Sequence, residues 1–165
     1  KRGITAQKPR EQGVNKKTLA FDRIKQGDTR NFSKVITEQD IEAFAHISGD
    51  HNPIHVDSEF AARTVFKGRI VPGILTAGLI SATLSRFPGV IIYLSQNLYF
   101  RKPVRIGDKI EASSEVIKKG DERRELILRT ICKNQKDEIV AEGEAVVKVL
   151  EVEDSSKNDI SSPIS

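Results

Sequence analysis

The segment from Pro72 to Phe87 constrains the fold of this chain most, because it has a helical pattern and is apolar on nearly every face. Proline is favoured at the first position of a helix, and the Pro88-Gly89 pair ends the segment. The segment's one charged residue, Arg86, lies near its end. A helix that is apolar nearly all round needs other parts of the chain to cover it. We therefore expect a long buried helix with the remaining elements packed around it.

The segments that could cover this helix are rich in β-branched residues and alternate in part between apolar and polar residues. Glycine, aspartate and asparagine residues typical of turns separate them. The predicted strands are residues 90–100, 109–119, 125–134 and 138–150. A buried helix beside such segments predicts an α+β fold, with a long central helix wrapped by an antiparallel β-sheet.

The length of 165 residues and the uneven charge predict one domain with two tails. We interpret residues 1–18 as a mobile basic arm, residues 19–150 as the single domain and residues 151–165 as a disordered tail. The net charge is +7 over residues 1–34 and −3 over residues 35–165. Because the predicted domain is mildly acidic, a nucleic-acid-binding core is not expected.

The chain has no apolar run of the roughly 18–20 residues that span a bilayer, so we expect no membrane insertion. Its single cysteine, Cys132, excludes an internal disulfide and a multi-cysteine zinc site, and it fits a reducing compartment. We expect a cytoplasmic protein, or one of the mitochondrial matrix if the chain is a processed precursor.

A helix is also predicted over residues 37–47, with Thr37 as its N-cap and Gly49 after its end. Its apolar stripe consists of Ile41, Phe44, Ala45 and Ile47. A short helix is predicted near residues 58–63.

The three histidines, His46, His51 and His55, lie close together in the sequence. His46 falls off the apolar stripe of its helix and is expected at the surface. His51 and His55 have the spacing of two metal ligands on one helical face, but Pro53 between them disrupts a helix. We therefore expect no metal site.

Asp50, Asn52 and His55 stand together in the loop that follows this helix. A D-x-N-P stretch is an ordinary loop sequence, so a purely structural role is open. A carboxylate and an imidazole that converge on one water would instead form an acid–base pair active near neutral pH. Gly73, at the start of the buried helix, could offer a free N–H to negative charge, although spacing alone does not bring the two regions together.

Residues from about Ile36 to Leu150 resemble the MaoC-type (R)-specific enoyl-CoA hydratases, also called hydratase 2, which have the hot-dog fold. The loop motif G-D-x-N-P-[IL]-H is matched from Gly49 to His55. The matching blocks are ITEQDIEAFAHISGDHNPIHVDSEFA (36–61), IVPGILTAGLIS (70–81), IYLSQNLYFRKPVRIGD (92–108) and GEAVVKV (143–149).

The resemblance implies a role for each matched residue. Asp50 and His55 correspond to the catalytic pair that holds and activates a water, and Asn52 to a motif residue that shapes the site. Gly73 corresponds to the glycine whose N–H polarises the thioester carbonyl, and Ser81 to a helix serine that orients the pair. The family further implies a homodimer or higher homo-oligomer with sites near the subunit interface, and no cofactor.

The expected reaction is the reversible syn addition of water to a trans-2-enoyl thioester of CoA or acyl carrier protein. The chain departs from the family where Pro72 replaces a common histidine, which puts substrate preference in question. Further substrate-binding residues are expected among apolar and basic side chains near the helix and the first predicted strand: Pro72, Ile74, Leu75, Arg101 and Lys102. For Arg101 and Lys102, a solvated loop is an equally open interpretation.

Two other functions stay open on the residues alone. A hot-dog acyl-CoA thioesterase usually has an acidic residue on or near the central helix, and residues 72–87 contain none. A non-catalytic acyl-CoA-binding module is the second alternative, although the presence of both Asp50 and His55 argues against an inactive site.

Overall fold

The structure, a computed structural model, describes residues 19–152. The predicted arm (residues 1–18) and residues 153–165 of the predicted tail lie outside the described residues. In chain order the elements are α1 (Ala20–Arg23), β1 (Thr29–Val35), α2 (Glu38–Ser48), α3 (Pro53–Val56), α4 (Ser58–Arg63), α5 (Gly73–Leu84), β2 (Val90–Phe100), β3 (Lys109–Gly120), β4 (Glu125–Lys133) and β5 (Ile139–Leu150).

The five strands form one antiparallel sheet in the order β1-β3-β4-β5-β2. β3, β4 and β5 are consecutive neighbours, and their alternate residues are buried. Ala112, Cys132 and Ala141 lie opposite one another across these strands and are fully buried. The predicted α+β class and the four predicted strands are therefore confirmed.

The helix α5 packs on this sheet and contacts all five strands. It begins at Gly73, with Pro72 as its N-cap, and ends at Leu84, three residues before the predicted end. One face is open rather than covered, with Ile74, Gly78, Ser81 and Ser85 exposed. No helix within residues 19–152 is both long and apolar enough to cross a membrane.

The helix α2 begins with the predicted cap and has a narrower buried stripe than predicted. Thr37 and Asp40 form a reciprocal capping box, and Gly49 ends the helix in the left-handed conformation with φ 75°. Ile41 and Ala45 are buried, but Ile47 is 83% exposed, so its assignment to the stripe was wrong. The reason is geometric, since two residues beyond Ala45 a helix has turned by about 200°.

Three elements were not predicted. The one-turn helix α3 lies within the residues that were expected to form a loop, and the other two are α1 and β1. The strand β1 pairs along its whole length with β3, although its sequence TRNFSKV is mostly polar. The one-turn helix α1 is held at its start by Glu151, whose carboxylate accepts bonds from the N–H groups of Ala20 (2.8 Å) and Phe21 (3.2 Å). Lys119 donates to the carbonyls of Phe21 and Ile24 near its end. Contacts distant in sequence thus fix α1 and β1.

Candidate active site

The loop between α2 and α3 is shaped by its own polar side chains. Oδ1 of Asp50 accepts a bond from the N–H of Asn52 (3.1 Å), and Oδ1 of Asn52 accepts one from the N–H of Ile54 (3.3 Å). Asn52 is therefore the N-cap of α3, and Pro53 occupies the first helical position, where its missing N–H costs nothing. These turns direct His55, on the one-turn helix α3, back towards Asp50.

The acid–base pair is the first feature of the site. Nε2 of His55 lies 3.8 Å from Oδ2 of Asp50, and the two side chains are 11% and 41% exposed. Nδ1 of His55 lies 2.8 Å from the carbonyl oxygen of Ile70. Because a carbonyl oxygen only accepts, Nδ1 carries the proton in this contact. In the neutral ring, Nε2 then has a free lone pair on the side that faces Asp50.

His55 and Gly73 border the same cavity, which has a volume of about 370 Å³. Gly73 is the first residue of α5, and the N–H of a first helical residue has no partner within its own helix. The positive end of the helix dipole lies at the same point. The cavity therefore has a proton acceptor on one wall and a site for negative charge on another. Its lining residues are His55, Phe66, Ile70, Val71, Gly73, Ile74, Thr76, Phe100, Arg101, Lys102, Pro103, Val104 and Val140.

The absence of a side chain at position 73 allows the ring of Phe100 to pack directly against the start of α5. A Cβ at this position would lie 2.8 Å from Cε1 of the Phe100 ring, which is closer than real Cβ atoms approach. The absence of a side chain lets the ring close one side of the cavity against the start of α5. It also leaves the N–H of Gly73 open to a ligand.

The basic residues expected to bind substrate line the cavity, but each already has an acidic partner. Nε of Arg101 lies 2.7 Å from a carboxylate oxygen of Glu142, and Nζ of Lys102 lies 2.5 Å from one of Glu138. A phosphate would have to compete with these carboxylates. The bond from Lys102 holds the pKa of Glu138 below its usual value.

The other residues expected to bind substrate or to take part in catalysis lie in different surroundings. Ile74 lines the cavity and is 58% exposed. Pro72 is buried as the N-cap of α5, and Leu75 packs against the core. Ser81 is exposed and lies roughly 12 Å along the helix from Gly73. Among the described residues, those that border the cavity do not include Pro72, Leu75 or Ser81.

Most of the apolar wall was not predicted residue by residue. It comes from three places far apart in the sequence: the segment before α5, the end of β2 with the following loop, and the start of β5. The unpredicted lining residues in these places are Phe66, Ile70, Val71, Pro103, Val104 and Val140, and Thr76 on α5 is a further one. The one available signal was the apolar character of the first predicted strand, which the structure ends at Phe100.

The described part of the chain, residues 19–152, contains no group of three or more His, Cys, Asp or Glu side chains arranged to hold a metal ion. His46 and His51 are exposed, whereas His55 is buried.

Comparison with known proteins places this chain in a family. Residues 21–139 match the MaoC-like domain. The chain is 47% identical over 141 residues to a 3-hydroxybutyryl-CoA dehydratase of Methylorubrum extorquens, covering 84% of this chain and 89% of the relative. It is 45% identical over 131 residues to an (R)-specific enoyl-CoA hydratase of Rhodospirillum rubrum, covering 78% of this chain and 90% of the relative.

Solved structures agree with the sequence relatives. The (R)-hydratase from A. caviae involved in PHA biosynthesis superposes with a TM-score of 0.74 at 36% identity, covering 78% of this chain and 98% of that chain. The predicted hot-dog fold is therefore confirmed, and the chain belongs to the MaoC-like domain family.

Proposed function

We propose that this protein is an (R)-specific enoyl-CoA hydratase, a hydro-lyase that adds water reversibly to trans-2-enoyl thioesters. One observation carries the proposal: His55, with Asp50 beside it, and Gly73, at a helix N-terminus, border one largely apolar cavity. The names of the relatives, an (R)-specific enoyl-CoA hydratase and a 3-hydroxybutyryl-CoA dehydratase, support the same reaction.

In the proposed reaction, Asp50 holds a water and Nε2 of His55 accepts one of its protons. The water oxygen bonds to Cβ of the substrate, and the electron pair of the double bond moves through Cα onto the thioester oxygen. The acid–base pair then delivers a proton to Cα on the same face, so that one water is added in total. Positioned acid–base groups of this kind contribute roughly 100- to 10,000-fold in rate.

The N–H of Gly73 would donate a hydrogen bond to the thioester oxygen as its negative charge develops. Removing one such donor typically costs about 100- to 1,000-fold in rate. The thioester already activates Cβ, so the proposal requires no metal or redox cofactor. We assign the substrate to CoA or acyl carrier protein thioesters, because relatives named for both carriers match this chain.

We also propose that the protein acts as a homodimer. β2 is an 11-residue edge strand, and a long open edge readily pairs with another strand. Its exposed apolar side chains are Val90, Ile92, Tyr93, Leu94, Tyr99 and Phe100. The open face of α5, which includes Ser81, offers a further surface to a second copy, and this would account for a role of Ser81 near the site.

Light scattering after size exclusion tests the dimer and should give twice the chain mass. Ile92→Lys should reduce this mass, while Ile47→Lys should not.

We propose a reducing compartment for the protein, either the cytoplasm or the mitochondrial matrix. The single cysteine, Cys132, is buried as a free thiol. The similar plant dehydratases carry the word mitochondrial in their names. Cell fractionation distinguishes the two compartments.

The test of the reaction uses crotonyl-CoA and the loss of enoyl-thioester absorbance. The wild-type protein should bleach this absorbance and form (R)-3-hydroxybutyryl-CoA, whereas Asp50→Asn and His55→Gln should each lower kcat at least about 100-fold. His46→Gln is the matched control, because His46 is exposed on α2. Full activity in both site variants, or an (S) product, would contradict the proposal.

The same samples distinguish the two alternatives. Release of free CoA thiol from acyl-CoA would indicate a thioesterase. That outcome is not expected, because α5 contains no Asp or Glu, whereas thioesterases of this fold usually have an acidic residue on or near the central helix. Binding of acyl-CoA without turnover would indicate a non-catalytic module.

A further inference from the structure

Arg69 contacts both of the elements that carry the acid–base pair. Its Nε donates to the backbone carbonyl of His55 at 2.6 Å. Its two terminal nitrogens donate to the two carboxylate oxygens of Glu38 at 3.1 and 2.6 Å. The Arg69 side chain is 15% exposed, and it is not among the residues that line the cavity. Arg69 therefore contacts the backbone of His55 without bordering the cavity.

These contacts connect two elements whose relative position sets the geometry of the site. Glu38 is the first residue of α2, and Asp50 follows the glycine that ends this helix. His55 lies on α3, which is only one turn long. Because a helix is rigid, the position of Glu38 helps to set where the other end of α2 presents Asp50. A guanidinium that holds Glu38 and the His55 backbone together thus links the two partners of the pair.

Arg69 is itself held firmly in place. Nη1 of Arg105 donates to the carbonyl of Arg69 at 2.9 Å and to that of Gly68 at 2.8 Å. The next residue, Ile70, accepts the bond from Nδ1 of His55 and donates its N–H to the carbonyl of Ile54. The backbone and the ring of His55 are therefore both fixed from one short segment, residues 69–70.

We propose that Arg69 is a positioning residue that sets the separation between Asp50 and His55. This inference rests on the proposed function of the pair. Nε2 and Oδ2 lie 3.8 Å apart and must both reach one water in the proposed reaction, so their separation matters, and a misplacement of about 1 Å can cost roughly 100-fold in rate. Glu38 is half exposed, so solvent screening limits what its ion pair with Arg69 adds to stability. The bidentate geometry of the Arg69–Glu38 pair, which lysine does not reproduce, fixes the orientation of the two side chains.

The test compares Arg69→Lys and Glu38→Gln with wild type in the full-length protein. Arg69→Lys keeps the charge but loses the planar fork, and we expect kcat for crotonyl-CoA to fall about 10- to 100-fold with KM changed less than about threefold. Glu38→Gln should give a smaller fall in the same direction. The thermal midpoint of unfolding should change little in both variants. Arg129→Lys, which alters the exposed pair with Glu115 on the sheet, is the matched control and should leave kcat unchanged.

A crystal structure of Arg69→Lys supplies a readout that does not depend on turnover. We expect the distance between Oδ2 of Asp50 and Nε2 of His55 to lengthen by about 1 Å. If the wild-type protein does not hydrate crotonyl-CoA but this distance lengthens, the proposed function fails and the positioning role stands. An unchanged distance overturns the positioning role whatever the rate. An unchanged kcat in an active enzyme overturns it as well.

Discussion

The two buried threonines of α5, Thr76 and Thr83, differ in how their hydroxyl groups are paired. The hydroxyl of Thr83 donates to the carbonyl of Ile80 and shares a hydrogen bond with Ser114 on β3. Within residues 19–152, the Thr76 hydroxyl has no hydrogen-bond partner. A buried hydroxyl without a partner costs about 1–3 kcal/mol. We therefore expect the same residue type to have different effects on stability at two positions of one helix.

Replacement of each threonine by valine, which has nearly the same shape, should separate these effects. Thr76→Val should raise the free energy of unfolding by up to about 1 kcal/mol, because it removes an unpaired polar group. Thr83→Val should lower it by about 1–3 kcal/mol, because Ser114 then loses its partner. Chemical denaturation of both variants and wild type measures the difference. A loss of stability in Thr76→Val would mean that its hydroxyl is paired in solution.

Among individual residues, the sequence predicted those that belong to one short motif. Asp50, Asn52 and His55 were predicted because seven consecutive residues carry the pattern. Arg69 and Thr76 were not predicted, since the carbonyl group that Arg69 contacts and the cavity wall that includes Thr76 are assembled only in the folded chain. Their residue types are ordinary for a loop and for a helix.

Among the elements, the pairing of β2 with β5 depends on one glycine. Gly143 lies opposite Leu98 in the register, and a Cβ on it would lie 2.0 Å from the carbonyl oxygen of Asn97. Oδ1 of Asn97 also accepts a bond from the N–H of Glu144 at 2.8 Å. The two strands therefore approach here more closely than any side chain at position 143 permits.

Gly143→Ala should lower the free energy of unfolding by about 2–3 kcal/mol, because the clash is with backbone that cannot move without breaking the ladder. Gly120→Ala is the matched control. A Cβ there would lie 3.6 Å from the carbonyl oxygen of Glu125, an ordinary contact, so a change below about 0.5 kcal/mol is expected. Urea denaturation of the two variants provides the comparison, and equal stabilities would contradict this account of the β2–β5 contact.

The elements with a strong periodicity were the ones that the sequence predicted. The four strands after α5 have alternating patterns and turn residues between them. β1 was missed because its partner strand β3, rather than its own apolar content, determines its conformation. α1 was missed because a helix of one turn has no periodicity, and Glu151, far away in the sequence, supplies its cap.

For the whole molecule, the contact of Glu151 with α1 joins the two ends of the described chain. The bond from the N–H of Ala20, with smaller contributions from Phe21, Arg124 and Arg23, holds the pKa of Glu151 below its ordinary value of 4.5. These bonds are absent in the unfolded chain. The stabilisation is therefore complete above pH 4.5 and is lost as the pH falls through the lower folded-state pKa.

Glu151→Gln should consequently lower the thermal midpoint at neutral pH and show a smaller loss of stability on acidification than wild type. The two proteins should converge once the pH falls below the lowered folded-state pKa, where the wild-type carboxyl is protonated. Thermal melts between pH 3 and 7 measure this, with the exposed Glu122→Gln as the control. A constant difference between variant and wild type across this range would rule out the ionised carboxylate as the cap.

Cys132 lies fully buried at the centre of the sheet, and burial raises the pKa of its thiol to about 12. Alkylating reagents attack the thiolate, so the native protein should resist maleimide although it contains a cysteine. A second cysteine introduced at an exposed position such as Ile47 would then be the sole point of attachment for a dye. The wild-type background is thus already suited to single-site fluorescent labelling, without prior replacement of Cys132.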